Sequence, residues 1–81
     1  MRRLTLYGRH NCHLCHEMHA ELERLRPELG FDLETVDVHG SPELEQRYGA
    51  RIPVLVCDGT ELCEARLDHD AVRACVQGAH A

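Results

Sequence analysis

Two cysteines separated by two residues, Cys12 and Cys15, lie in the stretch Tyr7-Gly8-Arg9-His10-Asn11-Cys12-His13-Leu14-Cys15-His16. An apolar, β-leaning run, Leu4-Thr5-Leu6-Tyr7, ends at Gly8. A short polar turn follows, and the cysteines then open a helix. Cys-x-x-Cys behind a strand and at a helix start is a redox arrangement. The backbone N–H groups of a first helical turn have no partners within the helix, and with the helix dipole they favour negative charge there. A thiol at that point ionises more readily, and the thiolate is the attacking species. The second cysteine, about one turn on, can displace whatever the first has captured and close a disulfide with it. Arg9 and a protonated His10 or His13 would stabilise the Cys12 thiolate, and a cation at His13, between the sulfurs, would make the disulfide the stronger oxidant.

The same stretch admits two other chemistries. Cys12/His16 and Cys15/His19 are i, i+4 pairs, with His10 and His13 nearby. Pairs at that spacing share a helix side, and two thiolates with two imidazoles could complete a tetrahedral zinc site or hold an iron–sulfur cluster. Cys12-His13-Leu14-Cys15-His16 also fits the c-type haem attachment pattern. That reading requires export and a largely helical envelope, and neither a leader nor such an envelope is expected here.

The elements that must place these sulfurs follow from periodicity and punctuation. The first strand spans Leu4 to Tyr7. Asn11 is read as an N-cap, and a helix then runs from Cys12 to about Arg26; Pro27 stops it or turns its last residues, and Gly30 supplies a break. Leu14, Met18, Leu22, Leu25 and Leu29 form its buried stripe; Glu17, Glu21, Glu23, Arg24, Arg26, His16 and His19 fall on its wet side. Phe31 to Val38 reads as a second strand whose alternation slips between Leu33 and Val36. Ser41 and Pro42 are the cap and first residue of a short helix ending at Tyr48. Ile52 to Cys57 is a nearly continuous apolar strand, hence central and covered on both faces. Asp58-Gly59 is a two-residue hairpin turn into a short strand, Thr60 to Cys63. Asp68 caps a last helix, His69 to Val76, facing inward with Ala71, Val72, Cys75 and Val76; Ala79-His80-Ala81 is read as a tail. The order is β-α-β-α-β-β-α: an α/β domain spanning 1–81, with a four-stranded mixed sheet covered by helices on both faces.

Composition bounds what such a domain does. Eighty-one residues bury a modest core, and 43% hydrophobic residues mark a globular chain. Trp is absent and the aromatics are only two Tyr and one Phe, so Leu, Val and Ile must supply that core. A formal charge of −5 opposes general affinity for nucleic acid or an anionic membrane. No stretch approaches a membrane span. The basic N-terminus lacks the apolar run of an export signal, and the expectation is a cytoplasmic monomer. Five cysteines in a reducing compartment point to catalytic, metal-binding or buried roles rather than a structural disulfide framework. Cys57 and Cys75 read as small core hydrophobes. His39, His69, His80, Glu34, Asp37 and the other carboxylates carry no signal beyond a solvated surface.

The element order, with Cys12-x-x-Cys15 after the first strand and Ile52-Pro53 opening the third, resembles the thioredoxin fold. The Tyr7-Gly8-Arg9-x-x-Cys12-x-x-Cys15 stretch is similar to the glutaredoxin branch, in particular to the small glutaredoxin-like proteins of bacteria, and the likeness runs from Leu4 to Val76. It implies a thiol–disulfide oxidoreductase with no bound cofactor or metal, acting on protein disulfides or glutathione mixed disulfides, with glutathione as co-substrate. Cys12 matches the nucleophile and Cys15 the buried resolving thiol. Arg9 matches a cationic position that binds the glycyl carboxylate of glutathione. Ile52-Pro53 matches the dipeptide whose proline is cis and whose preceding residue offers its backbone to a substrate peptide. Three features depart from the pattern. His13-Leu14 stands where Pro-Tyr or Pro-Phe is usual. Leu62-Cys63-Glu64-Ala65-Arg66-Leu67-Asp68 lacks the Gly-Gly after the fourth strand. Glu64 puts a negative charge near the expected carboxylate of glutathione. Cys63, at the edge of the expected substrate groove, is either a further thiol of the site or a buried strand-end residue. The alternative function is a metal or iron–sulfur binding module using Cys12, Cys15 and the histidines, and a third is a pure interaction domain.

Overall fold

The computed structural model describes residues 2–78; the tail at 79–81 lies outside the described residues. The elements are β1 (Arg3–Gly8), α1 (His13–Leu29), β2 (Asp32–Asp37), α2 (Pro42–Tyr48), β3 (Val54–Cys57), β4 (Thr60–Glu64) and α3 (His69–Gln77). They build one four-stranded sheet in the order β2-β1-β3-β4. β2 runs parallel to β1, with Leu4 opposite Leu33 and Tyr7 opposite Val36. β3 is antiparallel to both β1 and β4. The apolar run that reads as central is central: all four β3 residues are buried. The Asp58-Gly59 turn has φ of 50° and 87°, the left-handed conformation at both central positions that a two-residue hairpin needs.

Each face of the sheet has its own apolar cluster. Leu4, Leu6, Leu55 and Cys57 meet Met18 and Leu22 of α1, Val72 of α3, and Phe31 on one side. On the other, Val54 and Val56 meet Val38 and Tyr48 of α2, and Tyr7 stacks on Tyr48 with ring centroids 4.2 Å apart.

Several sequence expectations need correction. Asn11 does not cap α1. Cys12 does, its sulfur accepting the Cys15 backbone N–H. The helix does not stop before Pro27 but continues to Leu29, with Gly30 at φ 73° closing it. Proline costs an intrahelical hydrogen bond and crowds the preceding turn, yet here the last turn survives, with Leu25 and Leu29 packed against the core. Leu14, assigned to the buried stripe, is 43% exposed, while Cys15 takes the buried position one residue on. Phe31 and Val38 are buried but lie just outside β2, whose middle is a half-exposed edge strand. β3 begins at Val54 rather than Ile52, and β4 extends to Glu64 with a register shift between Leu55 and Val56.

The largest correction concerns Cys57 and Cys75. They are not separate small hydrophobes but a disulfide, joining the end of β3 to α3 across 18 residues with Cα atoms 6.8 Å apart. The sequence placed both sulfurs inward but carried no information on their mutual distance. Among the described residues no helix is long and apolar enough to cross a membrane.

Candidate functional site

The site begins where β1 hands the chain to α1. Cys12 is partly exposed at the N-cap, with extended backbone (φ −107°, ψ 116°), and its Sγ accepts the Cys15 backbone N–H at 3.2 Å. One of the unpartnered donors of the first turn is therefore aimed at the sulfur, and the helix dipole favours negative charge at the same point. The Cys12 backbone N–H closes a turn onto the Arg9 carbonyl at 3.3 Å, and His16 Nε2–H donates to the His10 carbonyl at 2.7 Å. A carbonyl can only accept, so the proton of His16 sits on Nε2.

Cys15 is the opposite kind of thiol. It is 5% exposed and its pKa is pushed up to about 11, first by burial and then by the hydrogen bond and charge of Cys12; Arg9, through its backbone and its charge, pulls the other way. Gly8 makes its seat. A Cβ there would stand 2.7 Å from the Cys15 sulfur and 3.1 Å from its Cβ, closer than side-chain atoms approach. The glycine that reads as the end of a strand is thus required by the neighbouring sulfur, a role visible only once β1 and α1 are packed.

The structure keeps the two free cysteines together and places the other expected site residues around or away from them. Arg9 is next to the thiols, but both terminal guanidinium nitrogens donate to Glu45 of α2, Nη1 to Oε2 at 2.7 Å and Nη2 to Oε1. The pair raises the Arg9 pKa and lowers that of Glu45, the mutual hydrogen bond being the leading cause in each. Gly49 leaves room for it: a Cβ there would meet the Glu45 carbonyl at 2.5 Å, Glu45 Oε1 at 2.6 Å and Arg9 Nη2 at 3.2 Å. Glu45, one of the carboxylates read as solvated surface, is the site residue the sequence did not reveal. Arg9 and Glu45 are 36 positions apart, and no local pattern links them.

His13 projects to solvent, its side chain 84% exposed, with Nε2 2.9 Å from Glu17 Oε2. That carboxylate offsets the cation assigned to the thiolate. Ile52 is half-buried and precedes Pro53 through a cis peptide bond. Arg51 ties this loop down by donating to Glu61 at 2.8 Å, to Glu64 at 3.1 Å and to the Arg47 carbonyl at 2.9 Å. The Glu64 charge is therefore already paired. Where a Gly-Gly was missing, Ala65 takes φ 67° and its N–H donates to the Pro53 carbonyl at 2.8 Å. A residue with a Cβ pays about 1–2 kcal/mol for that conformation. Cys63 is half-buried against the core beside Leu62 and Leu67, and burial raises its pKa.

His10, His16 and His19 line a hollow beside Cys15, but among the described residues their ring nitrogens do not converge with the sulfurs as a ligand set. His16 is spent on the His10 carbonyl and His19 lies 3.6 Å from Glu23. Among the described residues, three metal-ligand atoms converge only at Cys57, Asp58 and Cys75, where the two sulfurs are bonded to each other. That hollow, of about 230 Å³, is closed by Gly8, Arg9 and Val36.

This geometry has relatives. The chain matches the family described as "Glutaredoxin-like domain (DUF836)" over residues 3–77. It belongs to that family. An uncharacterized protein of Mycobacterium tuberculosis, Rv0508, is 36% identical over 76 residues, which is 88% of this chain and 78% of the relative. The solution structure of protein Ne2328 from Nitrosomonas europaea is 41% identical and superposes with a TM-score of 0.82, covering 90% of this chain and 88% of that one. Mitochondrial thioredoxin 3 from Saccharomyces cerevisiae, at 18% identity, shares the fold alone, with a TM-score of 0.67 over 95% of this chain and 77% of its own. The glutaredoxin-like chain thus has the thioredoxin fold, with Cys12 and Cys15 at the start of its first helix.

Proposed function

We propose that this glutaredoxin-like protein is a thiol–disulfide oxidoreductase in which Cys12 attacks and Cys15 resolves. The observation that carries the reading is the asymmetry of the pair: one sulfur partly exposed at a helix N-terminus with an N–H aimed at it, the other buried behind it with its pKa near 11. In the forward direction the Cys12 thiolate attacks one sulfur of R–S–S–R′. The S–S bond breaks, R′S⁻ leaves and takes a proton, and Cys12–S–S–R forms. The Cys15 thiol loses its proton and attacks Cys12 Sγ, expelling RS⁻. The substrate disulfide gains two electrons and two protons, and Cys12–Cys15 is left oxidised. A protein dithiol, or more slowly a thiol of the glutathione class, returns the electrons.

Charge bookkeeping on Cys15 gives the sequence its order. Two of the causes that raise its pKa, the hydrogen bond and the charge of Cys12, disappear when Cys12 is locked in a mixed disulfide. Burial remains. The resolving thiol is held protonated while Cys12 is free and is released for ionisation once capture has occurred. Ile52, before the cis proline, would offer its backbone to the substrate chain as a short added strand.

The test is insulin reduction under dithiothreitol, together with mixed-disulfide trapping. Wild type should turn over, Cys12→Ser should not, and Cys15→Ser should accumulate a mixed disulfide on Cys12. Equal turnover by wild type and Cys12→Ser sinks the proposal.

A further inference from the structure

We infer that Glu45 is a specificity residue that turns the site away from anionic small thiols such as glutathione and toward disulfides in protein segments without a nearby carboxylate. The inference rests on the oxidoreductase reading above and narrows its substrate class.

Arg9 is a fixed cation lining the same hollow as Cys15: its charge acts on Cys15, and Cys12 acts on it in turn. Any carboxylate carried next to a reacting disulfide would be drawn to that guanidinium, because the planar fork of arginine matches a carboxylate with two parallel hydrogen bonds. Here the fork is filled from within the chain by both oxygens of Glu45. The fit is built in, since Gly49 forms the floor under the pair and no side chain could stand there without striking Glu45 and Arg9. Gly49 has ordinary helical backbone (φ −53°, ψ −36°), so its small size rather than its conformational freedom is what the site uses.

A substrate carboxylate must displace Glu45 and then share the space with a second negative charge, with Asp37 also close enough to act on Arg9. His39, which acts on Glu45 from the neighbouring loop, is the other cationic candidate there when protonated. Like charges brought together in this way discriminate by repulsion as well as by lost contacts. The site offers a neutral substrate something else. Leu14, between the two cysteines, is the large hydrophobic residue left exposed among the described residues. It borders a groove with Met18, Ala65 and Leu67 whose rim also carries Glu17, Glu21 and Arg66, so the groove offers a protein segment both apolar and polar contacts.

The experiment compares two mixed disulfides of one reporter peptide, one with glutathione and one with glutathione esterified at its carboxylates, on wild type and Glu45→Gln. Wild type should favour the ester. Glu45→Gln keeps the shape but frees the fork, so its kcat/KM on the glutathione form should rise by about three- to tenfold through KM. Any change in its rate on insulin should be smaller than the gain on the glutathione form, so the ratio of the two rates shifts toward glutathione. Adding Arg9→Gln to Glu45→Gln should abolish the gain. Circular dichroism and the thermal midpoint check that each variant is folded. An unchanged ester-to-glutathione ratio in Glu45→Gln would overturn the inference while Cys12-dependent insulin reduction persisted. Loss of Cys12-dependent turnover on every disulfide would overturn the oxidoreductase reading itself.

Discussion

Removing the Cys12 sulfur should make its neighbour easier to ionise, and the size of the change is bounded by the structure. Cys15 stands at about 11 against an ordinary 9.0, with burial the largest cause and the hydrogen bond and charge of Cys12 also raising it. At pH 7 a thiol at 9.0 is ionised to about one part in a hundred and one at 11 to about one part in ten thousand, so the whole interval is about a hundredfold in thiolate. Cys12→Ala removes the Cys12 contributions and leaves burial, which raises the pKa, and Arg9, which lowers it. The Cys15 pKa should therefore fall below about 11, and the thiolate fraction at neutral pH should rise. The assay is an NMR titration of the Cys15 β-carbon in wild type and Cys12→Ala. Selective labelling separates it from Cys63, whose pKa burial also raises. No change on removing Cys12 would refute the coupling, and with it the claim that capture releases the resolving thiol.

Other outcomes follow from the same contacts. Gly8→Ala places a methyl 2.7 Å from the Cys15 sulfur; it should cost about 1–3 kcal/mol in urea unfolding and slow release of the Cys12 mixed disulfide. The folded state holds the Cys15 proton more tightly than the unfolded chain. The stability this confers on the reduced protein is therefore fully present below pH 9.0 and lost as pH rises through about 11, and unfolding in Cys15→Ala should lack that component. Cys57→Ala or Cys75→Ala opens an 18-residue loop and should lower stability by about 3 kcal/mol in a denaturant titration. Insulin reduction should persist wherever the variant remains folded, because Cys12 and Cys15 lie outside that bond. Ala65→Gly relieves a left-handed backbone and should raise the thermal midpoint by an amount equivalent to about 1 kcal/mol. A lower midpoint would show that the alanine side chain stabilises more than its backbone costs.

Much of the chain is legible because its signals are local. A strand ending at Gly8, caps at Ser41 and Asp68, the Asp58-Gly59 turn and the apolar run into Cys57 each depend on a few neighbouring residues. The spacing of Cys12 and Cys15 and the order of the elements belong to the same class. Leu14 marks the limit of periodicity. A stripe at steps of three and four assigns a face of the helix, but where that face meets the sheet depends on how α1 crosses it, and the first turn is rotated so that Cys15 is buried and Leu14 is left to solvent.

What required the tertiary structure is every relation between residues distant in the chain. The Arg9–Glu45 fork, the Cys57–Cys75 bond, the binding of Glu64 by Arg51 and the pressure of Cys15 on Gly8 all join different elements. The physical reason is one of range. Backbone preference, capping and turn chemistry act over a few residues and are written where they act. Charge pairing, sulfur bonding and steric fit act over a few ångströms of space, and which residues share that space is set only when the sheet and its three helices close on one another.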